Sequence, residues 1–152
     1  MAAYVATRGA ASNAPITNRG QIGVPVIIES EYQFGAAVAP AINDTIDVCY
    51  WPAGYVLEPD LCRVRFEELD SNAAPTGTLD VGIDGNLDLI FDGVALGGTE
   101  AYYNHAPNLI DPYNAAASDE DRLIIATVKT AVATGVVAKK IVFKMAFRPA
   151  HA

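Results

Sequence analysis

Three runs near the middle of the chain alternate apolar and polar residues with a period of two. Residues 45–51 set Ile46, Val48 and Tyr50 on one face. Residues 61–69 set Cys62, Val64 and Phe66 against Arg63, Arg65 and Glu67, and residues 78–84 bring Leu79, Val81 and Ile83 together. Such alternation buries one face and wets the other, as antiparallel sheets do. Turn residues separate the runs: Pro52-Ala53-Gly54 breaks the first, and 70–77 precede the third. Four more strands are predicted. Residues 24–29 carry Pro25, which implies an edge position or a strand start. Residues 87–91 follow the tight turn Asp84-Gly85-Asn86, alternate Leu87, Leu89 and Phe91 against Asp88 and Ile90, and form a hairpin that Asp92-Gly93 closes. Residues 123–130 and 139–148 complete the set, the last with Ile141, Phe143, Met145 and Phe147 inward. Short strands punctuated by turns predict an all-β fold, an antiparallel β-sandwich of which the jelly roll is one form.

Two segments lack a period. Residues 1–22 read as an extended N-terminal arm, neither helix nor core strand, and 23–152 as a single sandwich domain. Residues 31–41 mix aromatics with AAVAP and read as a loop. Residues 93–121 form a long loop with a short helical turn near 111–117, and loops of this length are usually functional or mobile. Tyr102, Tyr103, His105 and Tyr113 cluster there, and aromatics favour interfaces. In the arm, Tyr4, Val5 and Ile16 offer anchors beside Arg8 and Arg19. The candidate partner-binding residues are therefore Tyr4, Arg8, Ile16, Arg19, Tyr102, Tyr103 and Tyr113.

Composition shifts this picture toward assembly. The 152 residues are 51% hydrophobic but only 18% charged, below the quarter or so usual for globular chains. Much of the apolar content is Ala and Val, which suits a surface covered by a partner. The net charge of −8 is sorted along the chain: 1–28 hold Arg8 and Arg19 and no acid, 29–121 hold all 18 acids, and 122–152 hold six cations and no acid. Two arrangements follow from this. Basic C-terminal strands can pair across a sheet with acidic middle strands, or the basic ends can meet an acidic partner while the middle faces solvent. Nucleic acid is not an expected partner, because the cations do not interleave with aromatics and the overall sign repels phosphate. No segment is apolar for long enough to be a membrane helix, and residues 1–6 lack a basic n-region and an apolar core, so synthesis in a cytosol is expected.

Catalytic and cofactor motifs are not found in the chain. His105 and His151 are the two histidines, and neither GxSxG nor a phosphate loop occurs. Cys49 and Cys62 are expected to be buried reduced thiols acting as small hydrophobes. Asp84-x-Asn86-x-Asp88 opens like a calcium loop, but Leu89 stands where glycine is needed and Ala95 where glutamate is needed. Asn43-Asp44-Thr45 matches a glycosylation sequon, which a chain kept in a cytosol would not use. No enzyme activity, cofactor or metal is expected.

One succession of pieces resembles a known group. Asn43-Asp44-Thr45-Ile46-Asp47-Val48, Trp51-Pro52-Ala53-Gly54-Tyr55-Val56, Phe66-Glu67-Glu68-Leu69-Asp70 and Thr78-Leu79-Asp80-Val81-Gly82-Ile83 appear in the order found in small virion proteins of tailed bacteriophages, most like capsid decoration, or cement, proteins. The resemblance implies a β-sandwich on the outer surface of a capsid. There it would bind between subunits of the major capsid protein, often as a homotrimer, with no catalysis. It assigns no contact residues. Alternatives are another virion component (tail tube, head–tail joining or fibre-base protein) or a carbohydrate or host-surface binding module using Tyr102, Tyr103 and Tyr113.

Overall fold

A computed structural model describes residues 3–8, 25–35, 41–97, 101–104, 118–136 and 138–150. Among the described residues ten strands form two five-stranded sheets. The first sheet has the order β1 (Ala3–Arg8), β3 (Thr45–Trp51), β9 (Arg122–Thr130), β6 (Thr78–Ile83), β7 (Asn86–Ala95). The second has the order β2 (Val26–Gln33), β10 (Lys140–Pro149), β5 (Arg63–Phe66), β8 (Ala101–Asn104). Short β4 (Tyr55–Leu57) joins the second sheet by pairing the C-terminal end of β10. A 3-10 turn, Pro59–Leu61, separates β4 from β5.

The pairings are nested: β2 with β10, β3 with β9, β5 with β8 and β6 with β7. Successive pairs alternate between the two sheets. A long hairpin wound in this way is a jelly roll. The sequence-predicted sandwich is thus present, and its topology is the jelly-roll form.

The core between the sheets follows the alternation closely in some strands and departs from it in others. Cys62, Val64 and Phe66 are buried, as are Ile141, Phe143, Met145 and Phe147. In β3 the expected face Ile46, Val48, Tyr50 holds only for its first two members. The β3–β9 register shifts between Asp47 and Cys49, and the extra residue turns the strand over. Cys49 and Trp51 therefore enter the core, while Tyr50 is half-buried. The run 87–91 departs further. Between the pairs Ile83↔Asn86 and Val81↔Phe91, β6 advances two residues while β7 advances five. The surplus arches out of the ladder, so Leu89, Ile90 and Phe91 are buried consecutively and Leu87 is exposed. Asp92-Gly93 does not close the hairpin, because β7 continues to Ala95.

Three segments expected to lack strands contain them. The arm includes β1, which adds parallel to the edge of β3 with Tyr4 opposite Ile46. The stretch 31–41 begins with the last residues of β2, an edge strand that starts just after Pro25. The loop 93–121 contributes β8, antiparallel to β5. The helical turn expected near 111–117 lies outside the described residues.

Candidate partner-binding surface

The resemblance-bearing residues prove to be architectural. Asp70 is fully buried, and its carboxylate accepts four backbone N–H groups: Asn72 at 3.1 Å, Thr76 at 3.1 Å, Ala133 at 2.9 Å and Thr134 at 3.0 Å. It ties the turn after β5 to the segment that follows β9. Burial alone would raise its pKa, but the four donors outweigh it and hold the carboxyl at about 2. Gly82 lies under the arch of β7. A Cβ there would overlap the Asn86 carbonyl oxygen and stand 2.5 Å from the Leu87 carbonyl carbon. Gly54 turns the Pro52-Ala53-Gly54 corner with φ +76°. Its N–H bonds the Ser118 carbonyl and its carbonyl accepts the Ala150 N–H. Beside it, Trp51 donates to the Tyr55 carbonyl at 2.8 Å and carries the Arg122 guanidinium 4.1 Å above its ring.

The two thiols are inert by environment. Cys49 and Cys62 are both buried and free. Burial, with the neighbouring Cys62, pushes the Cys49 thiol far up. Cys62 is pushed up to about 12, chiefly by burial; the Ala146 N–H opposes the shift and Glu58 adds to it. A thiol so protonated at neutral pH is a poor nucleophile. Among the described residues no three His, Cys, Asp or Glu side chains gather in a way that could hold a metal ion. No described helix is long and apolar enough to cross a membrane. Asp84-Gly85-Asn86 is a turn with Gly85 at φ +82°.

The sorted charges meet inside the fold. Lys129 lies 3.2 Å from Asp80, Lys140 2.9 Å from Glu31 and Arg148 3.0 Å from Glu58. Each pair joins a C-terminal cation to a middle-block acid, so cross-strand pairing accounts for part of the asymmetry.

Of the sequence-predicted contact residues, Tyr4 and Arg8 lie on β1 at the edge of the first sheet. Tyr102 and Tyr103 lie on β8 at the edge of the second, in register with Arg65 and Val64. Ile16, Arg19 and Tyr113 fall outside the described residues, as do both histidines. The structure thus places the four described candidates on edges of different sheets and does not gather them into one described site.

One ionic surface that the sequence reading did not single out is the outer face of the second sheet. There β10 lies between β2 and β5, so their outward residues form rows. Glu29, Lys144 and Arg63 make one row, and Glu31, Val142 and Arg65 the next. The Lys140 end is internally neutralised. Its ammonium pairs with Glu31, and its backbone N–H donates to Glu67 at 3.2 Å. The other end is a shallow depression around Val142, lined by Glu29, Arg63, Arg65 and Lys144. Lys144 stands directly opposite Arg63, a like-charge cross-strand pair that costs stability. Arg63 Nε is buried with no hydrogen-bond partner. Outward positions were legible from alternation, but their juxtaposition depends on β10 inserting between strands far away in sequence.

No protein-family model matches the sequence, and no curated protein does. Solved structures do match. A chain of "Capsid of Ralstonia phage GP4" superposes with a TM-score of 0.82 at 19% identity, covering 99% of this chain and 100% of that one. A chain of "Cyanophage Pam1 capsid asymmetric unit" gives a TM-score of 0.59 at 20% identity, covering 92% and 97%. At these identities the likeness is one of fold.

Proposed function

We propose that this chain is a structural protein of a tailed-bacteriophage virion. In this reading it decorates the outer surface of the capsid and stabilises it by bridging subunits of the major capsid protein. The observation that carries the reading is the end-to-end fold match, TM-score 0.82 over 99% of this chain, to a chain of a phage capsid structure. The order of the 43–83 pieces supports it independently. Low charge content suits a protein much of whose surface is covered in an assembly. Its mechanism is mechanical. A rigid jelly roll spans a junction, adds buried area across it, and so raises the work needed to separate the subunits. Self-association, as a homotrimer where capsomers meet, belongs to the same reading, and synthesis takes place in the host cytoplasm.

The test is binding to shells. Purified protein mixed with undecorated shells is expected to co-sediment in a saturable, symmetric stoichiometry and to delay shell rupture on heating. A protein that stays in the supernatant at all concentrations contradicts the proposal. Rings or tubes formed in the absence of shells would point instead to a tail-tube protein.

A further inference from the structure

We propose that the cationic depression on the outer face of the second sheet binds the acidic β6–β7 hairpin of a second copy of this chain. The inference deepens the self-association in the reading above by naming its interface.

Both halves of the contact are visible on one chain. In the depression, Arg63, Arg65 and Lys144 surround Val142 together with Glu29, and Glu31, which stands opposite Val142, is committed to Lys140. None of Arg63, Lys144 or Glu29 belongs to a described ion pair. Lys144 stands between Glu29 and Arg63, so across this row Arg63 meets a cation and no acid, and an anion placed against it offsets the repulsion. The hairpin supplies the anions. Asp84, Asp88 and Asp92 are all exposed, and no described ion pair reaches them. Between them Leu87 keeps 38% of its surface exposed. An exposed apolar residue flanked along the chain by carboxylates thus matches an apolar floor lined mostly by cations, the makings of an interface with an apolar centre and a charged rim. The hairpin also lies at the edge of the first sheet, since β7 is the terminal strand. Hairpin and depression are different surfaces of the chain, so each copy carries both halves of the contact. Repeated head to tail, it builds a ring where the rotation closes, the geometry a homotrimer needs.

The experiment is sedimentation of the full chain without shells, so that its failure is distinct from failure to bind a capsid. The wild type is expected to self-associate with rising concentration and to dissociate as salt screens the contact. Arg65→Glu with Lys144→Glu, and separately Asp88→Lys with Asp92→Lys, should each weaken association by about a hundredfold. Mixing the two reversed proteins should restore contacts between unlike copies, read as mixed pairs or even-membered rings, because an odd ring of two types keeps one like-charge contact. The recovery also shows that both variants are folded. A wild type that is monomeric throughout, reversals that leave association unchanged, or a mixture that stays dissociated overturns the proposal.

Discussion

The two sheets treat their outward positions differently. On the first sheet, Asp80, Gly82 and Thr127 face away from the core, yet all three are buried. The chain closes over them itself. The arch of β7 crosses Gly82, and the Gly93 N–H caps Asp80 at 2.8 Å while Lys129 lies beside its other oxygen. On the second sheet, Glu29, Arg65 and Glu67 are exposed at equivalent alternating positions, and the ionic rows lie open. Period-2 alternation specifies which side chains leave the core. It does not specify whether the chain or a partner then covers them. In the first sheet an irregular strand does the covering, and in the second no described strand crosses the outer face.

The largest predicted effect breaks the closed side of this comparison. Gly82→Ala places a methyl group where the Asn86 backbone runs, with no flexible side chain to yield. It should cost about 3 kcal/mol, measured by urea unfolding. A loss below about 0.5 kcal/mol would mean that the arch is not packed against β6.

Asp70→Asn comes next. It replaces a carboxylate that satisfies four N–H groups by an amide with one acceptor oxygen, and should cost about 2 kcal/mol. The sign with pH is definite. The folded carboxyl titrates at about 2, below the ordinary unfolded value of about 3.9. The unfolded chain therefore takes up the proton first on acidification. The Asp70 contribution is complete above about pH 4 and is lost as pH falls toward about 2. Acid titration of the wild type against the Asn variant should show their stabilities converging across that window.

Removing residues 1–8 deletes β1 but leaves all four nested pairs in place. A loss of about 1–2 kcal/mol with an unchanged β spectrum is expected. Complete unfolding would show that the arm belongs to the core after all.

The smallest stability effect lies on the open side. Arg65→Ala should change unfolding free energy by less than about 0.5 kcal/mol yet reduce shell binding and self-association. Equal losses in both would mean that this face is structural rather than adhesive.

How much of this was legible in the sequence depends on how far each feature is local. The inward faces of β5 and β10 were readable because both strands keep their register, although Ala146, outward by alternation, is buried against Glu58 and Cys62. Tyr50 and Trp51 exchanged roles because a bulge after Asp47 carries no composition signal. β1 was missed because an edge strand in a parallel pair needs no alternation of its own, and β8 because its partner β5 lies far upstream. Among the candidate contacts, aromatic and arm residues were chosen by type, whereas the cationic face comes from neighbours in space. Lys144 and Arg63 are opposite each other only after the jelly roll has wound.

The most direct test of the central contrast is imaging of reconstituted shells at a resolution that traces individual strands. The account predicts the jelly roll on the outer surface of the shell, with the face of Arg63, Arg65, Val142 and Lys144 buried against another polypeptide, and with Gly82 still covered by its own hairpin. A decorated shell in which that face points to solvent, with every contact made elsewhere, would contradict it.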